Sequence, residues 1–71
     1  MEAPVKVVQI GKSLKQERER RFITQAKLSE SSGITQKQIS LIERNEVEPR
    51  FSTVLKLAEA LAIEPRDLLD D

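Results

Sequence analysis

The chain has 71 residues, with 12 basic and 12 acidic side chains, no cysteine and no histidine. A chain this short buries only about 60% of its unfolded surface, so it forms one small domain with a compact core and no second domain for a ligand. Without cysteine or histidine there are no disulfides, Cys/His metal sites, or thiol and imidazole catalysts. We therefore predict a protein that is not an enzyme and that has no cofactor and no metal.

The charge is balanced over the whole chain but unevenly distributed along it. Residues 1–37 carry eight basic and four acidic side chains, a net charge of +4, and residues 38–71 carry four basic and eight acidic ones, a net charge of −4. Such an asymmetry can orient a domain on a polyanion. No apolar run approaches the roughly 18 residues of a membrane span, and residues 1–10 lack the apolar core of a signal peptide, so we expect a cytoplasmic protein without membrane contact.

The chain begins with a segment, residues 1–9, that is either an N-terminal arm or a short strand. Charged and amide side chains then dominate from Gly11 to about Arg21, which predicts the first helix. One face of this helix, at i, i+4 and i+8, carries Ile10, Leu14 and Arg18. An arginine in line with an apolar stripe needs a carboxylate if it is buried, and Glu43 is the candidate; the alternative is that Arg18 is exposed.

The stretch from Thr24 to Asn45 predicts two short helices joined at Gly33. Thr24 and Thr35 each precede a helical run, where the hydroxyl can accept from a backbone N–H of the first turn. Gln38 completes the pattern of a capping box with Thr35, and Gly33 supplies the left-handed residue that ends the first of the two helices. The apolar residues that can meet across this turn are Leu28, Ile34, Ile39 and Ile42.

A polar stripe runs along the third helix, on the face turned away from its isoleucines. Its members, at i, i+4 spacing, are Gln36, Lys37, Ser40, Leu41 and Arg44. This mixture of amide, cations, hydroxyl and one aliphatic group suits base edges, a thymine methyl and phosphates. The stripe therefore predicts a DNA-contacting surface, and the alternative is an ordinary solvated helix face.

Two further helices complete an all-α fold of five helices. Asn45 can take a left-handed C-cap and Pro49 prevents the third helix from continuing. From Phe51 to Ala62 a core-facing stripe at i, i+3, i+4 and i+7 consists of Val54, Leu57, Ala58 and Leu61. Pro65 fits the first position of a last helix that ends at about Leu69, with Leu68 pointing inward.

Some apolar residues remain outside these stripes. They are Leu55, Leu69, Val5, Val7 and Val8. They are the candidates for a homodimer interface, and the alternative is that they only thicken the core of a monomer.

The ordered motifs resemble the phage repressor and Cro-like (Xre) helix-turn-helix family from about Ile10 to Leu69. They are Ile10-Gly11-x-x-Leu14-Lys15-x-x-Arg18, Thr24-Gln25-x-x-Leu28, Ile39-Ser40-x-Ile42-Glu43-x-Asn45 and Leu57-Ala58-x-Ala60-Leu61. The resemblance implies a lambda-repressor-like fold in a DNA-binding domain over residues 10–71. It also implies that the third helix lies in the major groove and that a homodimer reads two half-sites about 34 Å apart.

The resemblance also implies roles for single residues. Gln25 would touch a phosphate and brace Gln36, Arg18 and Glu43 would form a buried structural ion pair, and Arg50 would be an operator contact or have no role. On bases, Gln36 suits adenine, Lys37 guanine and Leu41 a thymine methyl, while Ser40 and Arg44 would lie nearer phosphates. The full set of DNA-contact candidates is Gln25, Thr35, Gln36, Lys37, Ser40, Leu41, Arg44 and Arg50.

The sequence as a whole predicts a sequence-specific transcriptional regulator that binds double-stranded DNA, either a small repressor or a controller-type protein. Glu46 and Glu48 stand where relatives often have cations, and they should lower non-specific affinity. Two alternatives stay open. One is a protein-interaction module on the same fold, such as an antitoxin or a coactivator, and the other is the DNA-binding part of a larger sensor.

Overall fold

The computed structural model describes residues 9–69, which contain five helices and no strand. The helices are α1 (Gly11–Arg20), α2 (Gln25–Ser32), α3 (Gln36–Glu43), α4 (Phe51–Leu61) and α5 (Pro65–Leu69). The predicted all-α fold is confirmed, and the ends of α1 and α4 each lie one residue before the predicted ends. Of the expected arm or strand, residues 1–8 lie outside the described part of the chain. None of the described helices is long and apolar enough to cross a membrane.

The apolar stripes of the helices converge on one core. α1 packs against α3 and α5, α2 packs against α3 and α4, and α4 packs against α5. The buried apolar residues are Ile10, Leu14, Leu28, Ile34, Ile39, Ile42, Val54, Leu57, Ala58, Leu61 and Leu68. All eleven are predicted core residues, and one of them, Ile34, lies in the turn between α2 and α3. Burial of each large side chain stabilises the fold by about 1.5–3 kcal/mol, which is the main reason that such short helices persist.

The turn between α2 and α3 is fixed by its caps. Thr24 Oγ1 accepts from the Lys27 N–H at 3.0 Å, and Thr35 Oγ1 accepts from the Gln38 N–H at 3.1 Å. Gly33 ends α2 in the left-handed conformation with a φ of 80°. Each threonine cap contributes about 1 kcal/mol, so the angle between the two helices is locally encoded.

The start of α1 is joined to the end of α3 by a hydrogen bond between Gly11 and Asn45. Asn45 adopts the predicted left-handed conformation, with a φ of 58°, and its Oδ1 accepts from the Gly11 N–H at 3.1 Å. A Cβ atom on Gly11 would lie 2.6 Å from that Oδ1 and from the carbonyl oxygens of Ile42 and Glu43. Gly11 is therefore required by close packing between two helix ends.

Candidate nucleic-acid interface

The exposed side of α3 carries the polar stripe. Ile39 and Ile42 are buried, whereas Gln36 and Lys37 at the N-terminal end of the helix are exposed. Ser40 and Leu41, one turn further along, are half-buried. Because the core holds the isoleucine side of α3, the stripe is presented to solvent on a rigid element rather than on a loop.

Arg44 is held in place at the C-terminal end of α3. Its Nη1 donates to Ser40 Oγ at 3.0 Å, while its Nε and Nη2 donate to the two carboxylate oxygens of Glu46 at 3.0 and 3.4 Å. Both charged side chains are slightly more than half exposed. Sequence reasoning missed this pair, although opposite charges two residues apart across a helix-ending turn are a recognisable signal.

A shallow groove of about 300 Å³ lies beside α3. Leu41 and Val47 supply its apolar part, and its other lining residues are Thr35, Lys37, Gln38 and Glu48. An apolar floor beside donor groups suits a thymine methyl next to polar base edges. A larger groove, of about 620 Å³, lies at the start of α1 and is lined by none of the DNA-contact candidates.

The predicted pair of Arg18 and Glu43 is present as a buried, two-point ion pair. Arg18 Nε and Nη2 donate to the Glu43 carboxylate at 2.6 and 3.0 Å, and Nη1 donates to the Ile23 carbonyl at 2.8 Å. The two side chains are only 10% and 4% exposed. The hydrogen bonds that Arg18 donates to Glu43 raise the pKa of Arg18 above its ordinary value, although desolvation acts in the opposite direction. The guanidinium therefore stays charged throughout the physiological range.

Gln25 makes a hydrogen bond to Glu43 in place of the one to Gln36 that the resemblance implied. Its Nε2 donates to Glu43 Oε1 at 2.9 Å, so Gln25 braces the buried carboxylate and not Gln36. The physical reason is that an ionised carboxylate is a stronger acceptor than a neutral amide. Glu43 thereby connects the first residue of α2 to Arg18 on α1.

The remaining candidates lie at the edges of the site. Thr35 is exposed and its hydroxyl oxygen caps α3, and Arg50 is exposed immediately before α4. Together with Lys37 and Arg44, Arg50 gives the surface three cations, against two carboxylates from Glu46 and Glu48, a net charge of +1. The structure thus brings Ser40, Arg44 and Glu46 into direct contact and leaves Arg50 on a separate element.

Two helices joined by a tight turn, with the second presenting a polar face outside a five-helix core, define the helix-turn-helix class. The family model described as helix-turn-helix matches residues 14–68, and the chain belongs to this family. The predicted relationship to phage repressors and controller proteins is confirmed. No curated protein sequence matches the chain.

Solved structures with the same fold cover most of this chain. The restriction-modification controller protein C.AhdI from Aeromonas hydrophila is 34% identical, with a TM-score of 0.82 over 87% of this chain and 94% of that one. SinR, the master regulator for biofilm formation, in complex with DNA is 31% identical, with a TM-score of 0.82 over 86% and 98%. The P22 c2 repressor in complex with a synthetic operator is 34% identical, with a TM-score of 0.79 over 86% and 92%.

Proposed function

We propose that this protein is a sequence-specific transcriptional regulator, a small repressor or controller-type protein, that reads double-stranded DNA with α3 in the major groove. The observation that carries the proposal is the polar, solvent-facing side of α3, held rigidly by two threonine caps and a buried ion pair. Similar chains have been solved bound to DNA, which supports the same use of this surface here. The proposed location is the cytoplasm, where such a regulator meets DNA.

The proposed base contacts come from the exposed stripe. Gln36 donates to and accepts from an adenine edge, Lys37 donates to guanine, and Leu41 contacts a thymine methyl. The proposed phosphate contacts are made by Gln25, Thr35, Ser40, Arg44 and Arg50. Phosphate contacts fix the register of the protein on the duplex, and base contacts select the sequence.

A protein-interaction module is the second candidate function, and the charge of the chain favours it. The net charge is zero, and Glu46 and Glu48 lie beside the candidate site. Domains that bind nucleic acid are usually basic, so a protein ligand would fit this balance better than a polyanion does. The two functions differ in how binding to duplex DNA depends on salt.

Selection of bound sequences from a random duplex pool, followed by a salt titration of the selected site, tests the proposal. We expect affinity to fall as salt rises, because counterions are released from phosphates. The log–log slope should be shallower than that of a basic homologue, since Glu46 and Glu48 oppose it. A slope near zero would favour the protein-interaction module.

Gln36→Ala should weaken binding to the selected site by about 5- to 150-fold, which corresponds to about 1–3 kcal/mol for one bidentate base contact. Affinity for random duplex should stay unchanged, because the glutamine carries no charge. Gln16→Ala is the control, since Gln16 is also an exposed helical glutamine but lies on α1, outside the candidate site. Equal losses in both variants would contradict the assignment of Gln36.

We further propose that the regulator is a homodimer and that Leu55 and Leu69 belong to its interface. Their exposed fractions are 42% and 38%, so neither residue thickens the core of this chain, and they lie on α4 and α5, which pack together. The other candidates, Val5, Val7 and Val8, lie outside the described residues. Large exposed apolar side chains on adjoining helices are typical of a surface that a second protomer covers.

The dimer model predicts two protomers for each palindromic duplex. Analytical ultracentrifugation should show this stoichiometry with the natural chain and its loss with Leu69→Glu, because a carboxylate would be buried in the interface. Gln16→Glu, which adds the same charge at an exposed position of α1, is the control and should leave the stoichiometry intact. One protomer for each site, with unchanged affinity in Leu69→Glu, would exclude the model.

A further inference from the structure

The guanidinium of Arg44 has three of its five N–H groups engaged within the chain. Ser40 accepts a hydrogen bond from Nη1, and Glu46 accepts one from Nε and one from Nη2. One N–H therefore remains on each of the two terminal nitrogens. Two N–H groups on the terminal nitrogens are the donor set that pairs with O6 and N7 of guanine.

We propose that Glu46 is a specificity-determining residue. It positions Arg44 so that Arg44 donates hydrogen bonds to a guanine edge and not to backbone phosphates. This inference rests on the proposed function and changes one part of it. It moves Arg44 from the phosphate contacts to the base contacts and gives a role to an acidic residue that otherwise only opposes DNA.

The charge of the pair explains why it favours a base over a phosphate. Arg44 and Glu46 together are neutral, so their attraction for a phosphate is small, and the carboxylate repels it. A guanine edge is uncharged and needs only correctly placed donors, which the pair retains. Glu46 thus weakens the sequence-independent attraction of Arg44 for phosphates and leaves its directional hydrogen bonding to a base available.

The bonds to Ser40 and Glu46 also reduce the conformational freedom that Arg44 would lose on binding. A free arginine side chain populates many rotamers, and fixing them opposes binding. Here the guanidinium donates to Ser40, which lies on α3, and to Glu46, which lies in the turn after α3. These hydrogen bonds favour one orientation of the terminal nitrogens relative to Gln36 and Ser40 on the same stripe.

The test compares Glu46→Gln with Glu48→Gln on the selected site and on random duplex, by fluorescence anisotropy at one salt concentration. In Glu46→Gln, affinity for random duplex should rise and the ratio of specific to random affinity should fall by about three- to fivefold, the scale of an exposed ion pair. In Glu48→Gln, which removes the same charge from the same turn, both affinities should rise by one common factor.

Replacing each guanine of the selected site in turn by 7-deazaguanine identifies the base. Replacement at one position should weaken binding of the natural chain. The loss of affinity at that position should be smaller in Glu46→Gln and in Arg44→Lys, since lysine keeps the charge but lacks the paired N–H groups of a guanidinium. In the Arg44→Lys background, Glu46→Gln should shift both affinities equally. Arg44 and Glu46 are both more than half exposed, so loss of their ion pair should lower the free energy of unfolding by less than about 1 kcal/mol, and all of these variants should be folded at room temperature.

Two results overturn the inference, and they are distinguishable. If the natural chain prefers its selected site but Glu46→Gln changes both affinities by the same factor as Glu48→Gln, Glu46 acts only as a charge and the proposed function stands. If the natural chain shows no preference for any duplex over random sequence, the proposed function fails and this inference fails with it.

Discussion

Glu43→Ala should lower the free energy of unfolding by about 3–5 kcal/mol, because it leaves the buried guanidinium of Arg18 without its carboxylate. Arg18 is 10% exposed in its side chain and has two of its donors on Glu43. A domain of this size has a total stability of only about 4–10 kcal/mol. Urea unfolding followed by circular dichroism should therefore show a variant that is close to unfolded at room temperature.

The double variant Arg18→Met with Glu43→Ala should recover part of this loss, since it removes the stranded charge and fills the space with an apolar chain. Arg18→Met alone leaves Glu43 with the Gln25 amide, just as Glu43→Ala leaves Arg18 with the Ile23 carbonyl, so each single variant should cost about 3–5 kcal/mol. A double-mutant cycle isolates the interaction between the two side chains. Additive losses would show that Arg18 and Glu43 do not stabilise each other in solution.

The elements of the fold were predictable because their signals are local. Helical spacing places Leu14, Ile39 and Leu57 in the core without knowledge of any neighbour, and Thr24 and Thr35 cap helices that begin at the next residue. Hydroxyl caps and apolar stripes act over three or four residues, which is the range that a sequence displays directly.

The contacts between elements were less predictable, because they depend on where helix ends meet. Gln25 is 18 residues from Glu43, and Gly11 is 34 residues from Asn45. Only the packed structure shows that the Glu43 carboxylate lies within reach of the Gln25 amide. Gln25 donates to this carboxylate and not to Gln36. The sequence indicated the Arg18–Glu43 pair because an arginine interrupts an apolar stripe, a local signal that Gln25 does not give.

Phe22 is a residue whose position the sequence leaves open. A phenylalanine beside a predicted helix end can either pack or lie on a contact surface; Phe22 is 95% exposed and adopts a left-handed conformation with a φ of 57°. The backbone turns here so that Ile23 N–H donates to the Arg18 carbonyl at 3.1 Å. That turn brings Thr24 to the start of α2. The left-handed conformation of Phe22 costs about 1–2 kcal/mol, because this residue has a Cβ atom.

Gly11→Ala should lower the free energy of unfolding by about 2–3 kcal/mol. The new methyl group would meet three oxygen atoms at 2.6 Å, and two of them are backbone carbonyls of α3 that cannot rotate away. Overpacking of this kind costs about 1–3 kcal/mol, and separation of the helix ends also weakens the Gly11–Asn45 hydrogen bond, against a gain of less than 1 kcal/mol in helix propensity.

Gly33→Ala is the control that separates this clash from backbone strain. Nothing lies within 4 Å of a Cβ on Gly33, so its substitution is penalised only through the φ of 80°, by about 1–2 kcal/mol. Asn45→Ala should not rescue Gly11→Ala, because the carbonyl oxygens of Ile42 and Glu43 remain in place. Thermal unfolding should show a larger drop in Tm for Gly11→Ala than for Gly33→Ala, and the reverse order would mean that α1 and α3 are not in close contact at this point.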